Sequence, residues 1–271
     1  CALPISDVLC KISRLFLRKG EYGKAMITGE KSLSTYKNIY GDDIFKLAYP
    51  LNQIARIHLA EGRHKESQAI LESIINAFEQ AGNNNDLQFA RAYDCMSNIH
   101  IENAAFDKSV SLLKKSLSIK ENYQGEDRIG EIGITLCALG KVYHRKKEFA
   151  KSKDYLLQAK KYIVEYFGEC HVTTSDVYIN LGNTYIGMKD YESAKQAYTA
   201  HHKINVKLHG ELHFAVSESY FTFGIYHAQK KEYHKAIESM TKATGILQKL
   251  YGRFSPRIGK MYYYMGWVYA Q

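Results

Sequence analysis

Apolar residues recur three and four positions apart along almost the whole chain, and strict alternation of apolar and polar residues is scarce. The stretch LGNTYIGMKDYESA, residues 181–194, shows the pattern at its clearest. Tyr178, Leu181, Gly182 and Tyr185 fall on one face of a helix. The residues GMKD then break the periodicity, and a second helix is predicted from Tyr191 to about Leu208. Gly210 ends it, because glycine takes the left-handed conformation that a helix C-terminus often needs. The expected fold class is all-α.

The pattern repeats. Ser13, Ala55, Ser97, Gly140, Gly182, Gly224 and Gly266 form a column of small residues with successive gaps of 42, 42, 43, 42, 42 and 42. Nine residues after these anchors stand Tyr22, His64, Phe106, Phe149, Tyr191 and Tyr233. Twelve after stand Ala25, Ser67, Ser109, Ser152, Ala194 and Ala236, and roughly 28 after comes a glycine, from Gly41 to Gly252. Several columns sharing one period mark an array of helix pairs. Small residues let the two backbones of a pair approach, and the aromatic residue fills the gap beside them. A pair this short cannot bury its apolar face alone, so neighbouring pairs must stack.

The Leu-Gly-x-x-Tyr element, the turn RKGEYGKA of the first unit and the alanine of the second helix resemble the tetratricopeptide repeat. The period is longer than that family's usual 34. With the junctions YFGECH, LHGELH and YGRFSP it resembles the kinesin light chain type, although two junctions lack the proline and the third lacks the histidine. HEAT repeats have similar length but do not predict these columns. The resemblance covers residues 6–271 and implies a right-handed superhelical solenoid of about six and a half repeats. Their expected bounds are 6–44, 45–87, 88–128, 129–171, 172–213, 214–255 and a truncated 256–271. The opening CALPI is what the adapter sequence TGTGCTCTTCCGATCT encodes in frame, so residues 1–5 read as a sequencing artefact. The last segment, MYYYMGWVYAQ, has apolar residues on almost every side, where natural solenoids place a polar cap. The chain is therefore expected to be a fragment that self-associates through Tyr262, Met265 and Trp267.

Composition narrows the function classes. A hydrophobic content of 45% over 271 residues can build a sizeable core. The net charge of +9 permits acidic partners without identifying one. Five cysteines without a C-x-x-C pair fit a reducing, cytoplasmic setting, and no apolar run suggests a membrane span. His209 and His213 have helical metal-ligand spacing, but Gly210 interrupts it and a third ligand is missing. Cys170 and His171 are adjacent in sequence with no positioned third group. The 22 tyrosines and 11 phenylalanines mostly fill repeat columns and need no base-stacking role. No catalytic residue, metal, cofactor or nucleic-acid partner is expected; the partner is a protein or peptide.

In tetratricopeptide proteins the first helix of each pair lines the concave groove where peptides bind, and the resemblance carries this over to specific positions. One residue after the anchor stand Arg14, Arg56, Asn98, Lys141, Asn183, Ile225 and Trp267, with Arg18 and Arg145 five after. Three before the anchor stand Cys10, Asn52, Asp94, Cys137, Ile179, Phe221 and Tyr263, and Asp94 interrupts the cations. The early repeats thus offer cations and amides, and the late ones Ile179, Phe221, Ile225, Tyr263 and Trp267. The expected ligand is acidic with a hydrophobic anchor. Two other readings share the same array: the sensing arm of a caspase-like protease or signalling kinase, and a peptide-pheromone receptor.

Overall fold

Short local signals set many of the helix ends. Asp43 and Asp86 each begin a first helix by accepting a hydrogen bond from a main-chain N–H two residues on, Phe45 N at 3.0 Å and Gln88 N at 2.7 Å. At the same junction in later repeats His171 and His213 do this through Nδ1, from Thr173 N at 3.1 Å and Ala215 N at 3.2 Å. The closing histidines of YFGECH and LHGELH are thus helix caps. Between the two helices of a pair, one closing turn recurs. In the fifth pair Lys189 N donates to Ile186 O and Asp190 N to Tyr185 O, both at 2.9 Å, and Lys189 takes a left-handed φ of 61°.

The computed structural model describes residues 2–83, 85–253 and 256–271. These form thirteen helices and no strand. The first helices of successive pairs are α1 (Ala2–Lys19), α3 (Ile44–Ala60), α5 (Leu87–Glu102), α7 (Arg128–Arg145), α9 (Val172–Gly187) and α11 (Phe214–Gln229). Their second helices are α2 (Tyr22–Tyr40), α4 (His64–Ala81), α6 (Phe106–Asn122), α8 (Phe149–Phe167), α10 (Tyr191–His209) and α12 (Tyr233–Tyr251); α13 is Pro256–Tyr269. Residues 2–5 lie in the first turn of α1, and Cys1 is outside the described residues. The chain divides into two compact units, residues 1–128 and 129–271, a division that the uniform period does not reveal.

The small-residue columns close each pair, and three of their serines bond across it. Ser13 Oγ donates to Ala25 O at 2.7 Å, Ser67 Oγ to Ala55 O at 2.8 Å and Ser152 Oγ to Gly140 O at 2.8 Å. The anchor and the position twelve later therefore touch across the pair. At Gly182 the approach is tightest, since a Cβ there would lie 2.3 Å from the Tyr198 ring.

The position 23 after the anchor alternates in character. Phe78, Ile163 and Leu247 are buried apolar plugs, each stabilising by about 1.5–3 kcal/mol. Tyr36, Lys120 and Asn205 are buried polar residues in the intervening repeats, and each finds a partner. Tyr36 donates to the Asp7 carboxylate. Lys120 is 0% exposed and its Nζ lies 2.5 Å from Asp94 Oδ2. Asn205 Nδ2 lies 3.1 Å from His201 Nε2, while His201 Nδ1 lies 3.0 Å from Ser175 O. A ring nitrogen facing a carbonyl must carry the proton, so His201 is held as a neutral Nδ1–H tautomer.

Candidate functional site

In the first unit a ladder of polar side chains crosses the first helices. Arg14 on α1 donates to Tyr49 Oη on α3 at 3.1 Å. One turn further along α3, Asn52 Nδ2 donates to Gln88 O on α5 at 2.9 Å. One turn beyond Gln88, Arg91 donates to Asp127 Oδ2 at 3.3 Å. The ladder leaves three buried polar atoms without a hydrogen bond: Arg14 Nε, Asn52 Oδ1 and Gln88 Oε1. Burial pushes the Tyr49 hydroxyl above its ordinary pKa, and the Arg14 charge opposes this. Arg56 and Asn98 stand exposed beside the ladder, as does Arg18 at the end of α1.

Most of the column three before the anchor is not a free face. Asn52 is 4% exposed, Phe221 8%, and Cys10 and Cys137 are also buried. In the first unit consecutive first helices pack side by side, α1 on α3 and α3 on α5, and this column lies where they meet. Phe221 packs its ring edge-on against Tyr264 of α13 at 5.3 Å, so it is core in this structure. Asp94 does not interrupt a row of solvated cations; it neutralises the buried Lys120.

In the second unit Lys141 and Arg145 are exposed. Asn183 is half-buried and accepts from Tyr198 Oη at 2.7 Å. Ile179 and Ile225 are half-buried against their repeat cores. Tyr263 is 75% exposed and Trp267 46%. Tyr262 is exposed but bonds Gln248 through its hydroxyl at 2.8 Å, and Met265 packs into the core beneath α13.

None of the cysteines and histidines singled out from the sequence assembles into a reactive centre. Burial pushes the Cys95 thiol up to about 11 and raises those of Cys10 and Cys137. His171 turns away from Cys170, with Nδ1 on its capping bond and its ring stacked on Phe167 at 4.5 Å. His209 and His213 stack at 4.1 Å, and among the described residues no three His, Cys, Asp or Glu gather as a metal site. No described helix is long and apolar enough to cross a membrane. A shallow depression over Glu79, Phe89, Tyr93 and Lys115 is closed on itself, because Tyr93 Oη donates to Glu79 at 2.6 Å.

Sequence reading missed Tyr49, Gln88 and Arg91. Tyr49 and Arg91 share one column, six before the anchor. Following the first-helix face one turn towards its N-terminus would have found both.

A tetratricopeptide repeat family model matches residues 131–205 and 173–249. No curated protein matches the sequence. Among solved structures, BtubC (BKLC) from P. vanneervenii is similar with a TM-score of 0.68 at 15% identity, over 86% of this chain and 94% of that one. Kinesin light chain TPR-like repeats from Podosopora anserina give 0.63 at 14%, over 77% and 98%. A Rap protein complexed with Competence and Sporulation Factor gives 0.70 at 14%, over 98% and 71%. Residues 131–249 match the tetratricopeptide repeat, and the chain shares the fold of these solved repeat solenoids.

Proposed function

We propose that the chain is a protein-interaction scaffold that holds a peptide segment on the first-helix face of its first unit. The observation that carries this reading is the set of unpartnered atoms in the polar ladder. A buried donor or acceptor left without a bond costs about 1–3 kcal/mol, so three on one face call for a reason. The half-buried Arg14 and Gln88 side chains can meet an extended peptide by turning outward, where its alternating main-chain N–H and C=O groups complement a guanidinium and an amide oxygen. Arg56, exposed and without an ion pair among the described residues, adds a preference for a carboxylate on that peptide. The similar Rap protein, solved with a bound factor, supports the use of this fold for holding a ligand.

The exposed Tyr263 and Trp267 form a separate apolar surface on the second unit, suited to a large hydrophobic side chain. The test is a peptide-library selection on the full chain, followed by Arg56→Glu and Asn52→Leu. Selected peptides are expected to be enriched in acidic residues. Arg56→Glu is expected to weaken them roughly tenfold and to flatten their salt dependence. Peptides without acidic enrichment, or indifferent to both substitutions, reject the reading.

A further inference from the structure

The six helix-pair turns share one backbone geometry but not one residue. Seven after the anchor the chain places Gly20, Gly62, Ala104, Lys147, Lys189 and Lys231, all with positive φ between 55° and 76°. Glycine adopts this conformation freely, and a residue with a Cβ is strained in it. The first unit uses glycine twice and alanine once. The second unit uses lysine three times in succession, each at φ 61°. The turn does not require lysine, because Gly20 and Gly62 close it with the same two hydrogen bonds.

These lysines lie in one row along one edge of the second unit. Adjacent turns touch: the Phe149 ring packs where a Cβ on Gly187 would stand, and Tyr191 Oη donates to Gln229 O at 3.5 Å. All three lysines are exposed, and among the described residues none has an ion-pair partner. The carboxylate that follows each one is already engaged. Glu148 binds Lys146 and Lys151, Asp190 caps α10 through Ser193 N, and Glu232 binds Lys230 and His227. Charge follows the same division. The second unit holds 20 lysines and arginines against 12 acidic residues, the first 17 against 16.

We propose that this turn edge is a docking surface for an acidic, extended polypeptide, distinct from the first-helix face. Packed helices lie roughly 10 Å apart, which sets the scale of the lysine spacing. A polyproline-II segment brings every third side chain to the same face at about 9 Å, so a carboxylate at every third residue meets each lysine in turn. A carboxylate, Glu148, Asp190 or Glu232, immediately follows each lysine in the chain, so the edge carries both signs of charge. These carboxylates disfavour the closely spaced charge of a nucleic-acid backbone or an anionic membrane and tolerate a partner whose charges are spaced to the lysines.

The test uses the full chain and a synthetic Glu-Pro-Pro repeat peptide, with a Gln-Pro-Pro repeat as control. The triple variant Lys147→Gly, Lys189→Gly, Lys231→Gly is expected to bind roughly tenfold more weakly, the loss of three exposed ion pairs. Its Tm is expected to rise by about 5 °C, because the strained turns relax. The triple arginine variant keeps both binding and Tm, and Arg56→Glu leaves this binding unchanged. No binding by the unaltered chain, or equal binding by the triple glycine variant, overturns the proposal. Lysine-dependent binding to duplex DNA or phosphatidylserine vesicles that is tighter than to the peptide overturns the choice of partner.

Discussion

The two units build the same helix pairs from different side chains, and the differences fall at fixed positions. At the pair-closing turn the first unit has Gly20 and Gly62, where the second has Lys147, Lys189 and Lys231. Across its first helices the first unit runs a polar ladder through Arg14, Tyr49, Asn52 and Gln88, whereas the second ends in exposed Tyr263 and Trp267. The plug position 23 after the anchor varies within both units, from Phe78 to Lys120 in the first and from Ile163 to Asn205 in the second. The backbone of the repeat therefore constrains few positions, and chemistry is assigned through the rest. Where a side chain costs stability relative to the one used at the same position elsewhere, the cost points to a role.

The largest expected contrast is at the buried ion pair. Asp94→Leu removes a carboxylate partner of a fully buried lysine and is expected to cost about 3 kcal/mol in denaturant unfolding. Combining it with Lys120→Leu, which copies the plug Leu247, is expected to recover most of that loss. A double variant as unstable as the single one shows that the pair is needed for more than its charges.

Next comes the close approach in the second unit. Gly182→Ala is expected to cost about 2 kcal/mol, because its Cβ would overlap the Tyr198 ring. Ser97→Ala, at the same position in the first unit, already has room for a Cβ and is expected to lose less than about 1 kcal/mol. Equal losses would break the contrast.

Acid gives a smaller separation. Burial holds His201 below its ordinary pKa of 6.5, and burial also lowers His144, His202 and His213 in the second unit, against His58 and His100 in the first. The folded state then binds fewer protons than the unfolded one, so stability is intact above about pH 6.5 and falls as pH drops below it. Protonated His201 would also direct a second N–H at the amide of Asn205. Hydrogen exchange across this range is expected to show the second unit opening first, and His201→Gln to reduce that loss. Weakest of all is self-association through the exposed Tyr263, Trp267 and Tyr269 of α13, expected as a concentration-dependent mass in light scattering and reduced by Trp267→Ser.

Much of the fold was legible because helix pairing leaves a periodic mark. The anchor, the serine or alanine twelve later and the turn at residues 187–190 were each read from spacing, and α10 spans Tyr191–His209 with Gly210 as its C-cap. The candidate face was less legible. Spacing alone placed Phe221 and Tyr263 in one column, yet Tyr264 covers the first and leaves the second open. The ladder was missed because Tyr49 and Gln88 become partners only when residues about 35 apart meet, and no local pattern carries that pairing. Lysine in the left-handed turn was also hidden, since a lysine in RKKEF or GMKDY reads as an ordinary solvated charge.

The central claim is that the first-helix face of the first unit receives the peptide. Chemical-shift mapping of the full chain with a selected acidic peptide tests it most directly. The account predicts that the largest perturbations gather at Arg14, Tyr49, Asn52, Arg56 and Gln88, with little change along α2, α4 and α6. Perturbations centred on those second helices, with the ladder residues unmoved, would contradict it.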